Sequence, residues 1–184
     1  IRSVSNKISQ VSLGILEDDK EYVIANSNGK YIKSRNCVTR YMCLVFAEDN
    51  DKKEKEFTDF AQAKGYEILE KDLETQSINA AKVAIEKLDA EDFKGGELPV
   101  IIAPGFGAVI FHEACGHGLE ATRVAPKISV FSDDLGKKVA TSKVTLVDDG
   151  TIPDVWGTNL IDDEGNPTQK NILIEDGILK SFLV

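Results

Sequence analysis

The only two histidines of this 184-residue chain share one short window, His112-Glu113-Ala114-Cys115-Gly116-His117. Two imidazoles and a carboxylate are the side chains of a hydrolytic metal centre. Neutral imidazoles hold zinc, and a carboxylate beside the first takes a proton from metal-activated water. The common zinc helix places its histidines four apart, as His-Glu-x-x-His; His112 and His117 are five apart. A regular helix turns about 100° per residue. Four residues therefore return the second ring to within about 40° of the first, and five leave it roughly 140° away. Either the pattern is accidental or the helix is deformed. One extra residue in a turn is a π-bulge, a distortion that recurs at functional sites. Gly116 would ease it, because glycine adopts dihedrals that other residues avoid. The spacing predicts a bulge or kink between His112 and His117. Glu120 lies three residues past His117 on the same helix face, where it can orient that ring as a hydrogen-bond acceptor or itself ligate. Cys115 offers a thiolate within the motif and is a weaker candidate ligand.

Such side chains need elements to hold them. Upstream, Leu98 to Ala103 reads as an apolar strand broken by Pro104-Gly105. Phe106 to Ala121 reads as the motif helix, with Val109, Ile110 and Phe111 as its buried base and Pro126 ending any continuation. Downstream, Val144 to Val147 reads as a strand with Asp148-Asp149-Gly150 as its turn. Lys170 to Glu175 and Ile178 to Val184 read as a hairpin around Asp176-Gly177. The acidic run Asp162-Asp163-Glu164-Gly165-Asn166 lacks the alternating ligands of an EF-hand loop and reads as a turn.

The first half has a different pattern. Val11, Leu13 and Ile15 alternate with small residues, which is the mark of a half-buried strand. Asp18-Asp19 reads as a turn, Tyr22 to Asn26 as a second strand, and Asn28-Gly29 as a type I′ hairpin turn. Tyr31 to Arg35 and Val38 to Ala47 continue the sheet. The charged stretch Glu48 to Glu56 reads as a solvated loop, and Phe57 to Ala63 as a further strand. Ile78, Ala81, Ile85 and Leu88 repeat at helical spacing, so Gln76 to Asp89 is predicted helical with Thr75 as its N-cap. Lys94-Gly95-Gly96 reads as a linker. The expected organisation is an α+β chain in two parts. Residues 1–95 form an antiparallel meander sheet covered by a helix, and residues 96–184 begin a β-rich domain carrying the kinked metal-motif helix.

Composition narrows the function classes. A net charge of −9 argues against a general nucleic-acid surface, which needs clustered Lys and Arg. No apolar run reaches membrane-spanning length, and no secretory signal opens the chain. Cys37, Cys43 and Cys115 form no Cys-x-x-Cys pair, which fits a reducing cytoplasm. Ile1 in place of a methionine and Val184 inside an apolar run predict a segment of a longer protein.

The stretch Phe111-His112-Glu113-Ala114-Cys115-Gly116-His117-Gly118-Leu119-Glu120 resembles the signature of the TldD branch of the TldD/PmbA family. Val147 to Thr151, Asp162 to Pro167 and Leu173 to Leu179 are similar to later blocks of that family. The resemblance covers most of the chain, most strongly from Leu98 onward. It implies a cytoplasmic zinc metalloprotease that cleaves unfolded peptides, with His112 and His117 as zinc ligands and Glu113 as the general base. It also implies a third zinc ligand, a cysteine beyond residue 184, so that this segment alone is expected to be inactive. The implied partner is a PmbA-like subunit that lacks the motif. The family has also been labelled a modulator of DNA gyrase, and the acidic charge here gives direct DNA binding no support. The rival expectation is a non-catalytic interaction module, a regulator acting through partner binding with structural histidines.

Overall fold

Two short connections organise the first sheet of the chain, whose 184 residues are all described by a computed structural model. Strands β1 (Ile8–Ala25), β2 (Tyr31–Asp49) and β3 (Lys52–Gln62) form an antiparallel meander in the order β1-β2-β3. The β1–β2 turn is built by Asn26, whose side-chain oxygen accepts from the amides of Asn28 and Lys30 at 3.0 and 3.2 Å. Only Gly29 takes positive φ there, at 84°. The turn is thus a longer loop ending on a left-handed glycine, in place of the expected two-residue type I′ turn. Asn50, at φ 52°, starts the compact β2–β3 turn.

These strands are longer than the sequence suggests. Asp18 and Asp19 lie inside β1, opposite Val38 and Cys37. Asp19 accepts two bonds from the Arg35 guanidinium at 2.7 and 2.6 Å, and an edge strand tolerates outward charge. The charged run from Glu48 is no loop either. Asp49 pairs with Lys52 and Glu48 with Lys53 across the turn, and Lys53 lies 2.6 Å from Glu48. Opposite charges facing one another across an antiparallel pair support a ladder.

Helix α1 (Leu73–Lys87) covers one face of this sheet. It starts earlier than predicted, because Asp72 is the cap: its carboxylate accepts from the Thr75 amide at 3.1 Å. Alternate residues of β2 (Thr39, Cys43, Val45 and Ala47) are fully buried. Cys43, Val45 and Ala47 pack with Ala80, Ala81 and Ala84 of the helix and with Leu88 just past its end. Small side chains on the helix let it lie close to the pleat. Tyr41 Oη and Ser77 Oγ meet at 2.8 Å, which satisfies the polar atoms at that contact.

By packing, Ile1–Lys94 with Thr151–Thr168 form one compact unit, and Gly95–Gly150 with Gln169–Val184 form a second. In the first, Lys30 Nζ donates to the Glu164 carbonyl at 3.0 Å and to Asn166 Oδ1 at 2.9 Å. The acidic turn is held by a lysine and by Asp162, which accepts from the Glu164 and Asn166 amides.

The second unit contains an antiparallel sheet of β4 (Leu146–Asp149), β5 (Lys170–Glu175) and β6 (Ile178–Leu179). Its core is Leu119, Leu173, Ile174 and Leu179, with Phe131, Leu146 and Leu183 packed around it. Leu98 to Ala103 forms no strand. It has no ladder partner, Ile101 is 99% exposed, and an apolar run without a neighbour to bond is not a sheet. The architecture is α+β: a helix-covered meander, then a β-rich unit bearing a kinked motif helix. No helix is long and apolar enough to cross a membrane.

Candidate metal centre

Gly105, at φ 108°, turns the chain after Pro104 into the motif segment. The segment winds through a 3-10 turn (Phe106–Ala108) and one turn of α-helix (α2, Val109–Phe111). It then opens into a π-helical turn over His112–Gly116, tightens at His117–Leu119, and ends at Glu120. The defining bond runs from the His117 amide to the His112 carbonyl, five residues back. That widened turn answers the spacing problem: it returns His117 to the side of His112 that a regular helix would have turned away from. The two ring centroids are 4.5 Å apart, with the planes at 72°.

Gly116 has a different role from the one its conformational freedom suggested. Its φ and ψ are −54° and −56°, ordinary helical values open to any residue. What matters is space. A Cβ on Gly116 would sit 3.3 Å from His112 Nδ1, so the imidazole lies against the bare backbone.

Metal-ligating atoms of His112, Glu113 and His117 all lie within 4.8 Å of one another. Glu113 Oε2 is 3.9 Å from His117 Nε2. Glu120 Oε1 is 2.7 Å from His117 Nδ1, and this hydrogen bond holds the Glu120 carboxyl below its usual range. The side chains are solvent-facing, with His117 52% and Glu113 63% exposed. Cys115 occupies the same turn but is not in the converging set. It lines, with Phe111, His112, Leu146 and Leu173, a mostly apolar groove of about 560 Å³. That groove escaped the sequence reading, since its walls come from segments far apart in the chain.

The second unit anchors the motif at its end. Leu119, two residues after His117, is fully buried in the core. Leu183 donates to the Leu119 carbonyl at 2.8 Å and accepts from Ala121 at 2.7 Å. Phe131 packs on Gly118, where an added Cβ would come within 3.0 Å of the ring.

The model of the PmbA/TldA metallopeptidase central domain matches residues 1–90, and that of the C-terminal domain matches residues 95–184. The chain belongs to the PmbA/TldD family. It is 32% identical over 190 residues to a metalloprotease TldD homolog of Buchnera aphidicola, covering 99% of this chain and 39% of that protein. It is 38% identical over 119 residues to a metalloprotease of Methanocaldococcus jannaschii, covering 65% of this chain and 26% of the other. The chain thus spans about two fifths of the length of its TldD homologs. Two solved structures share the fold. A Thermotoga maritima protein described as a candidate modulator of a DNA gyrase matches with a TM-score of 0.82 at 21% identity, over 98% of this chain and 42% of that one. TldE from Thermococcus kodakarensis matches at 0.74 and 23% identity, over 98% and 40%.

Proposed function

We propose that this PmbA/TldD-family chain carries the His-Glu-His portion of a zinc-dependent peptidase site, and that it belongs to the TldD-like branch. The observation that carries the reading is the convergence of His112, Glu113 and His117 across a turn widened to fit their spacing. Two imidazole nitrogens beside a carboxylate suit zinc, and their exposure leaves room for a substrate. His112 and His117 would hold the ion, with a third protein ligand from outside residues 1–184. Bound zinc would supply Lewis acidity and lower the pKa of a water to about 7.

The chain's own contribution to hydrolysis is proton handling and orientation. Glu113 sits next to the proposed ligands. Its carboxylate accepts a proton from the attacking water and then delivers it to the leaving amine of the cleaved bond. Glu113 is open to solvent, its side chain 63% exposed, and stands 3.9 Å from His117 Nε2, within reach of a substrate at that face. The substrate in this reading is an unfolded peptide, whose extended backbone can reach the solvent-facing motif side chains and the adjoining apolar groove. The partner is a PmbA-like subunit; the family models name PmbA beside TldA, and TldE has the same fold. Three free cysteines support a reducing, cytoplasmic setting.

Elemental analysis of the intact protein tests the ligands. The wild type should carry about one zinc per chain, and His112→Ala and His117→Ala should each lose it. A metal content unchanged by either substitution would contradict the assignment, and an interaction module would carry none in any of the three.

A further inference from the structure

We infer that Glu120 is a positioning residue, which by holding His117 at Nδ1 leaves Nε2 as the ring atom presented to a metal. The inference rests on the metal-site reading above and adds the orientation of one ligand. A carboxylate only accepts hydrogen bonds, and a neutral imidazole carries a single N–H. With Glu120 Oε1 2.7 Å from Nδ1, the proton belongs on Nδ1 and the free lone pair on Nε2. That lone pair is on the correct side. Nε2 is the atom 3.9 Å from Glu113 Oε2, so the donor nitrogen and the proposed base face the same space.

Glu120 is well placed to aim a ring. It ends the motif in an extended conformation, with ψ at 137°. Its neighbours are pinned on both sides: Leu119 is buried in the core and bonded to the Leu183 amide, and the Ala121 amide is bonded to the Leu183 carbonyl. The carboxylate therefore projects from a fixed point. Direct ligation by Glu120 is disfavoured, because the converging ligand atoms are those of His112, Glu113 and His117 without it. A carboxylate that orients a metal-ligating imidazole typically alters metal affinity by 10–100-fold.

A chain with two histidines makes the test direct. Long-range ¹H–¹⁵N correlation spectra of metal-free protein, recorded at about pH 8, above the reference imidazole pKa of about 6.5, report which nitrogen of each ring is protonated. Zinc affinity is then measured by chelator competition in the intact protein. The wild type should show His117 protonated on Nδ1. Glu120→Ala should lose that preference and bind zinc about 10–100-fold more weakly. Glu120→Gln, which keeps an acceptor, should retain the preference and most of the affinity. A group that only held the fold would leave the tautomer unchanged. His117 protonated on Nε2 in the wild type would overturn the inference, and so would zinc affinity unchanged in Glu120→Ala. If Glu120→Ala does not fold, the wild-type tautomer and the glutamine variant still decide. Wild-type protein with Nδ1 protonated but no zinc binding would uphold the Glu120–His117 pairing and overturn the metal-site reading.

Discussion

A single methyl group at position 116 would press on the His112 imidazole. At 3.3 Å from Nδ1 the clash is small enough to be relieved by a ring shift of a few tenths of an ångström, which is the precision a ligand set needs. Gly116→Ala is therefore expected to keep the fold and weaken zinc binding by about tenfold, since each tenfold is only 1.4 kcal/mol. Gly116→Val should do more, and chelator competition reads both. Equal affinity in the alanine variant would show that the ring does not rest on that backbone. Much of this was legible in the sequence. The five-residue spacing demands a widened turn once the histidines are required to meet, and a glycine in that turn stands out. The reason for the glycine was not legible. Conformational freedom is its usual use, yet its dihedrals are ordinary. Only the position of the neighbouring ring reveals a need for space.

At the scale of elements, the first helix hangs on Asp72. Its bond to the Thr75 amide satisfies one of the open donors of the first turn. Asp72→Ala should cost about 1 kcal/mol in urea denaturation, and Thr75→Ala, the cap that sequence alone suggested, appreciably less. The alanine contact is a second sensitive point. Ala81→Leu should destabilise by about 1–3 kcal/mol, because the sheet lies against a fully buried methyl. The acidic turn makes a prediction about pH. Bonds from Asn166 and Glu164 lower the Asp162 pKa, so the carboxylate is favoured in the folded turn. That contribution is complete above the ordinary aspartate value of about 3.9, and is lost as pH falls through the lowered folded value. The Glu164 and Asn166 amide shifts should titrate together with a midpoint below that range; a midpoint above it would contradict the contacts. Alternation and helical spacing revealed the meander and its helix. They failed where charge and apolarity mislead. The Glu48 to Glu56 run is a ladder because opposite charges face each other across it. The apolar Leu98 to Ala103 is no strand, because ladder partners are invisible in a local pattern.

At the scale of the whole chain, the two compact units are interleaved: Thr151–Thr168 belongs with Ile1–Lys94. We propose that the exposed Lys94-Gly95-Gly96 segment separates a functional domain of residues 1–95 from one of residues 96–184. Limited trypsin digestion should cut after Lys94 first. The nicked pieces should still co-elute, because Thr151–Thr168 remains bonded into the first unit through Asn159, Asp154 and Asn166. Separation of the pieces on gel filtration would contradict that packing. The interleaving was hidden from sequence, since nothing in residues 151 to 168 announces a return to an earlier sheet. Glu113 is proposed to carry the chemistry of this turn, and one comparison tests that role most directly: the cleavage rate of an unfolded peptide by intact wild-type protein and by Glu113→Gln, each with a PmbA-like subunit present and at matched zinc content. The variant should keep its zinc and lose roughly 10²–10⁴-fold in rate. Equal rates at equal zinc would contradict the role of Glu113 and, with it, the reading of this turn as a peptidase site.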